Sequence, residues 1–133
     1  MDGALKKAES TDTRMGIAVV DSGVALKAFY RMDDAWVGSI DIPTKKARTP
    51  FISAYPVEKQ VNCLSPVSLI YGIEHSNDGM ITFPGGVPIV DDEAFMSGAI
   101  GVNGSSVEND DLVAHAGAEI ISVCDLPEHL WRT

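Results

Sequence analysis

Hydrophobic and polar positions change period once along the C-terminal half of this chain. Met80–Phe83 is a short apolar run that stops at Pro84-Gly85-Gly86, and Val87–Val90 is a second. Asp91-Asp92-Glu93 supplies a polar turn, and Phe95–Val102 is a third run, thinned by Ser97, Gly98 and Gly101. Runs this short, divided by glycine, proline and acidic turns, predict consecutive antiparallel strands. After Asn103-Gly104 the spacing lengthens: Val113, Ala116, Gly117 and Ile120 recur every three or four residues. That period predicts a helix over Ser106–Ile121 with one buried face. Gly98 and Gly101 are expected to let this last helix lie close to the strand, helped by Ala114, Ala116, Gly117 and Ala118.

The N-terminal half repeats the strand pattern once. Gly16–Val20 is continuously apolar and β-branched, Asp21-Ser22-Gly23 is a hairpin turn, and Ala25–Tyr30 is the returning strand. Asp41 then reads as a helix N-cap with Pro43 in the first turn, where its missing N–H costs little. Pro50 is expected to break or kink that helix. Met1–Thr13 offers only Ala4, Leu5 and Ala8 as an apolar face, which predicts a short, marginal helix that frays or docks on a neighbouring subunit. Tyr55–Ser68, with Pro56 and Pro66, reads as a connecting loop. Cys124–Thr133, with Leu126, Pro127, Leu130 and Trp131, reads as a tail that docks on a neighbour or frays.

Charge and capping remove several function classes. Ser105 and Glu108 fit a capping box, and Glu108, Asp110 and Asp111 crowd the first turn of the predicted helix, where its dipole favours acids. An acidic turn of this kind repels phosphate, and Gly98, Gly101 and Gly104 do not make the dinucleotide fingerprint. At 133 residues the chain is expected to be one domain, and its formal net charge of −9 argues against nucleic acid and against anionic membranes. No apolar run approaches the ~20 residues of a membrane helix, and Met1–Thr13 lacks a signal-peptide centre, so the expected compartment is the cytoplasm. Cys63 and Cys124 lack paired spacing and are expected to be free thiols. His75, His115 and His129 are scattered without H-x-x-x-H spacing, so no metal site is expected. Capping chemistry accounts for Glu108 and Asp111 without a metal.

Longer motifs carry a resemblance. G-A-I-G-V-N-G-S-S-V-E-N-D, the upstream F-P-G-G-V-P and I-A-V-V-D-S-G, the R-M-D at Arg31–Asp33 and the L-I-Y-G-I-E-H-S-N at Leu69–Asn77 resemble the family of small haem-binding and haem-degrading-type domains. That family includes proteins of glycolate-utilisation operons and the C-terminal domain of some corrinoid adenosyltransferases. The resemblance runs from about Met15 to about Ile121. It implies a profilin-like α+β fold, an antiparallel sheet of about five strands with helices packed across it. It also implies homo-oligomers and a small-molecule ligand, with haem or a similar tetrapyrrole as the leading candidate.

Candidate ligand residues follow from side-chain chemistry within those motifs. His75 carries the imidazole chemistry that can ligate a metal or haem iron or move a proton. Phe83 and Tyr71 offer aromatic contact, and Gly85 and Gly86 let backbone approach a flat ligand. Lys45, Lys46 and Arg48 form the main basic cluster of an acidic chain; a solvated helix face and a carboxylate-recognising face both fit. Arg31 reads as a strand-end ion pair with Asp33 or as a guanidinium clamp on a ligand carboxylate. An alternative is a small enzyme acting on an organic acid, with His75 as general base and Arg31 or Lys46 as clamp. No nucleophile motif accompanies it. An oligomeric accessory protein without a chemical step is a third reading.

Overall fold

The computed structural model describes residues 1–53 and 66–119. The elements run α1 (Asp2–Ser10), β1 (Gly16–Asp21), β2 (Leu26–Arg31), α2 (Asp41–Ser53), β3 (Gly86–Val90), β4 (Met96–Asn103) and α3 (Val107–Glu119). Single 3-10 turns lie at Val37–Ser39 and Ile73–His75. The strands form one antiparallel sheet in the order β2-β1-β4-β3. This is the expected α+β architecture, with four strands among the described residues where about five were expected. The difference lies at Met80–Phe83, which joins no ladder. Two of its N–H groups find partners outside the sheet instead: Met80 N–H donates to the Glu74 carbonyl at 2.9 Å, and Ile81 N–H to Thr49 Oγ1 at 3.3 Å.

Alternation along the central strands sorts the core into two layers. Met15, Ile17, Val87, Ile89, Ile100 and Val102 pack with Ala4 and Ala8 of α1 and Val113, Ala114 and Ala118 of α3. Ala18, Val20 and Ala99 face the other way, against Ala47, Phe29 and Phe51. Each fully buried Ile or Val contributes about 1.5–3 kcal/mol. The α1 segment is therefore held within its own chain. Ala4 and Ala8 are fully buried, and Gly117 lets α1 approach so closely that a Cβ there would stand 3.0 Å from the Ala4 methyl. A weak local propensity is overridden by this docking on α3.

Two sequence expectations are corrected by which side each residue faces. Gly101 does not admit the last helix; a Cβ on it would fall 2.5 Å from Ala47 N and against the Pro43 carbonyl, so it admits α2. Pro50 does not end its helix, which continues to Ser53. Thr49 and Pro50 are buried there, Phe51 packs on the Ala18 cluster, and tertiary burial outweighs the local cost of proline. The cap of α3 is also one residue later than expected. Ser106 Oγ accepts from Asn109 N–H at 3.2 Å, while Glu108 is exposed.

Both hairpins are closed by the same turn. Asp21 Oδ1 accepts from the N–H groups of Gly23 and Ala25, and Asp91 Oδ1 accepts from Glu93 and Phe95. The fourth residue is left-handed in each, Ala94 at φ +66° and Val24 at φ +62°. A β-branched residue is strained there. Val24→Gly is expected to raise the unfolding free energy by about 1 kcal/mol in urea titration, because the strain removed exceeds the entropy glycine adds to the unfolded chain. A less stable variant would refute this.

Candidate functional site

The most constrained polar groups lie between α2, β4 and α3. Lys46 is fully buried and Asp110 is 1% exposed. Lys46 Nζ donates to Asp110 Oδ2 at 2.8 Å and to the Val102 carbonyl at 2.9 Å, with Asn103 Oδ1 at 3.4 Å. Its ammonium also stands 4.6 Å from the centre of the Phe83 ring, a cation–π distance. Asp110 Oδ1 accepts Ser105 N–H at 3.0 Å, and Asn103 Nδ2 donates to buried Ser39 Oγ at 3.1 Å. Burial pushes the Lys46 ammonium below the usual lysine range and the Asp110 carboxyl above the usual carboxylate range; in each case the partner's charge is the main opposing influence.

Gly85 completes this knot. It sits at φ +118°, and a Cβ on it would fall 2.7 Å from both Lys46 Nζ and the Val102 carbonyl. Its own carbonyl accepts Val102 N–H at 2.7 Å. Lys46, Phe83 and Gly85 are thus brought together, with Gly86 next in line, paired to Gly101. The solvated-face reading of the basic cluster fails for Lys46, because its helical position faces the sheet. Only Lys45 and Arg48 are partly exposed. Lys45 pairs with Asp41 at 2.9 Å.

His75 and Tyr71 lie on a separate segment, a chain of successive turns from Ser68 to Gly79. Gly72 is left-handed at φ +88° and precedes the 3-10 turn carrying His75, whose N–H donates to the Gly72 carbonyl at 3.0 Å. The imidazole is exposed. Earlier in the same segment, Val67 and Leu69 stand almost wholly in solvent, and Ile70 and Tyr71 are half exposed. Glu74 Oε2 is buried and has no hydrogen-bond partner among the described residues. The turn meets α2 at Gly79, where a Cβ would lie 3.4 Å from Lys45 Nζ.

Arg31 is not brought to either group. It ends β2, at the sheet edge opposite β3, three strand spacings or about 14 Å across. It makes no ion pair with Asp33 among the described residues; Met32 between them is buried, and Asp33 instead borders a recess of about 220 Å³ with Leu5, Glu9, Arg14, Tyr30 and Met32. His115 Nε2 stands 3.5 Å from Asp111 Oδ2 along α3. No group of three metal-ligating side chains occurs among the described residues. Cys63, Cys124 and His129 lie outside them. Asp110 was visible in the sequence only as one of three acids in a helix turn. Its burial followed from one signal, its place three residues before Val113 on the apolar stripe.

A small antiparallel sheet clasped by helices on both faces, with glycines admitting one helix and a histidine turn at its margin, defines a profilin-like α+β domain. The family model described as haem degrading protein HbpS-like matches residues 1–119, and the chain belongs to that family. It is 32% identical over 117 residues to an uncharacterised 15.0 kDa protein from the dhaT-dhaS intergenic region of Citrobacter freundii, covering 87% of this chain and 82% of that protein. It is 29% identical over 121 residues to the corrinoid adenosyltransferase PduO of Citrobacter freundii, covering 90% of this chain but only 36% of that enzyme. Among solved structures, the PduOC–haem complex superposes with a TM-score of 0.86 at 27% identity, over 92% of this chain and 89% of that one. No helix among the described residues is long and apolar enough to cross a membrane.

Proposed function

We propose that this protein is a binding module for haem or a related tetrapyrrole, held at the turn that carries His75. The observation that carries this reading is an exposed histidine in the same run of turns as exposed Leu69, Ile70 and Tyr71, four to six positions earlier in the chain. An apolar surface with one ligating side chain suits a flat hydrophobic macrocycle with a metal at its centre. The similarity to a domain solved with haem supports it. In this reading His75 would hold the iron, and Leu69, Ile70 and Tyr71 would supply apolar contact to the macrocycle. Lys45 and Arg48 offer the cations for its propionates. Bound haem would supply a redox-active iron. The buried Lys46, with Phe83, Gly85 and Gly86, serves this site by holding the chain that enters β3, and touches no ligand.

Hemin titrated into the purified protein is expected to give a saturable Soret shift at micromolar concentration. The affinity of His75→Ala is expected to fall at least about tenfold. An unsaturable shift, or a variant that binds as tightly as the natural chain, would remove the reading.

A further inference from the structure

A recess of about 220 Å³ opens between α1, the segment that follows it and the end of β2, lined by Leu5, Glu9, Arg14, Tyr30, Met32 and Asp33. Its backbone frame is tied down on each side. Asp12 N–H donates to the Glu9 carbonyl and Thr13 N–H to the Ala8 carbonyl, closing α1. A Cβ on Gly104 would fall against the Arg14 carbonyl, so the chain is packed tightly there too. Met32 N–H donates to the Met15 carbonyl at 2.9 Å, and the Met32 sulfur accepts from Met15 N–H at 3.4 Å. Ala35 N–H donates to the Met32 carbonyl at 3.1 Å, closing the turn that contains Asp33.

Charges of both signs border this recess without pairing across it. The Arg14 guanidinium lies 3.4 Å from Asp12, whose side chain is 92% exposed, and is not within ion-pair distance of Glu9 or Asp33. The carboxylates of Glu9 and Asp33 and the Tyr30 hydroxyl have no partner among the described residues. A surface pair as exposed as Arg14–Asp12 is worth little, so it does not withhold the guanidinium from another carboxylate. Buried Met32 and half-buried Leu5 supply apolar surface, and half-exposed Tyr30 an aromatic wall. The volume holds about seven waters at liquid density, about 30 Å³ each, well below the ~300–1,000 Å³ of drug-sized sites. A lone anion would meet two acids here, and a lone cation would meet the arginine. A molecule carrying both charges on an apolar body meets each with its opposite.

We propose that this recess binds a small zwitterion with an apolar side chain, a free α-amino acid such as leucine. Arg14 holds the carboxylate, Glu9 and Asp33 hold the ammonium, and the side chain lies against Leu5, Met32 and Tyr30. None of these residues belongs to the site proposed for haem.

The test is an NMR titration of the full chain with three probes: leucine, leucinamide, which lacks the anion, and isocaproate, which lacks the cation. Mildly acid pH keeps both amines charged. Leucine is expected to shift the amides of the lining residues saturably, with a Kd on the order of 1 mM, and both analogues to bind at least about fivefold more weakly. In Arg14→Gln, leucinamide should match leucine. In Glu9→Gln/Asp33→Asn, isocaproate should match it instead. Core amides such as those of Ile17 and Ile100 should keep their positions in both variants, which separates lost recognition from lost fold. Unsaturable shifts, unmoved lining residues, or an analogue that binds the natural chain as tightly as leucine would each overturn the proposal. Variants that fold and still rank the three probes as the natural chain does would overturn it too.

Discussion

Lys46→Met and Asp110→Asn, made singly, are each expected to lower the unfolding free energy by about 3–5 kcal/mol. The double variant should be no less stable than the weaker single one. Each side chain is almost wholly removed from water, and each finds its main compensation in the other, 2.8 Å away. Deleting one leaves a bare charge in the interior, which must stay uncompensated or neutralise itself. Deleting the second then removes the charge that the first deletion stranded, so the losses do not add. Urea titration of the three variants measures this directly, and additive losses would show that the pair is not a unit.

The same argument fixes a pH dependence for Lys46→Met. Burial already raises the Asp110 carboxyl, and without Lys46 its largest opposing influence is gone, so it should titrate higher still. Between the unfolded value near 3.8 and that raised value, the folded state holds the extra proton. Stability therefore falls as pH rises through this window. The deficit of Lys46→Met relative to the natural chain should be largest above the raised value and shrink on acidification. A deficit that grows toward acid pH would contradict the assignment.

Gly101→Ala is the second large effect, expected to cost about 3 kcal/mol or more and to leave little folded protein at 37 °C. The added methyl would land on the Pro43 carbonyl and 2.5 Å from Ala47 N, both backbone atoms of α2, so no side-chain rotation relieves it. The helix would have to move off the sheet, carrying Lys46 from its partners. Gly38→Ala is the control, since its methyl would meet only Ile42 Cδ1 at an ordinary 3.7 Å. It should stay within about 0.5 kcal/mol of the natural chain. Equal tolerance at both positions would mean that α2 does not need the close approach seen here.

Much of the fold was legible because it is written in local rules. The Asp21 and Asp91 turns announce themselves by acid and small residues between β-branched runs, and both hairpins form where expected. The last helix followed from the spacing of Val113 and Gly117, and its start was missed by a single residue because Ser105 and Ser106 are equally good caps. The motifs at Leu69–Asn77 and Phe83–Gly86 carried the family likeness, and with it the fold. Periodicity failed where the decision was not local. Met80–Phe83 has a strand's composition, yet bonds to a turn and to Thr49.

By itself the sequence determined the hairpins, their turns and the one-faced last helix, since each depends on residues within about ten positions of one another, and the membership of the family, which rests on short motifs spread along the chain. Tertiary structure alone decided that α1 is docked, that Gly101 admits α2, that Pro50 stays helical, and that Lys46 points inward. Lys46 and Asp110 are separated by 64 positions. No local pattern distinguishes a lysine on a wet face from one whose charge is met by a carboxylate brought across the sheet. That distinction exists only once two helices and a strand have packed.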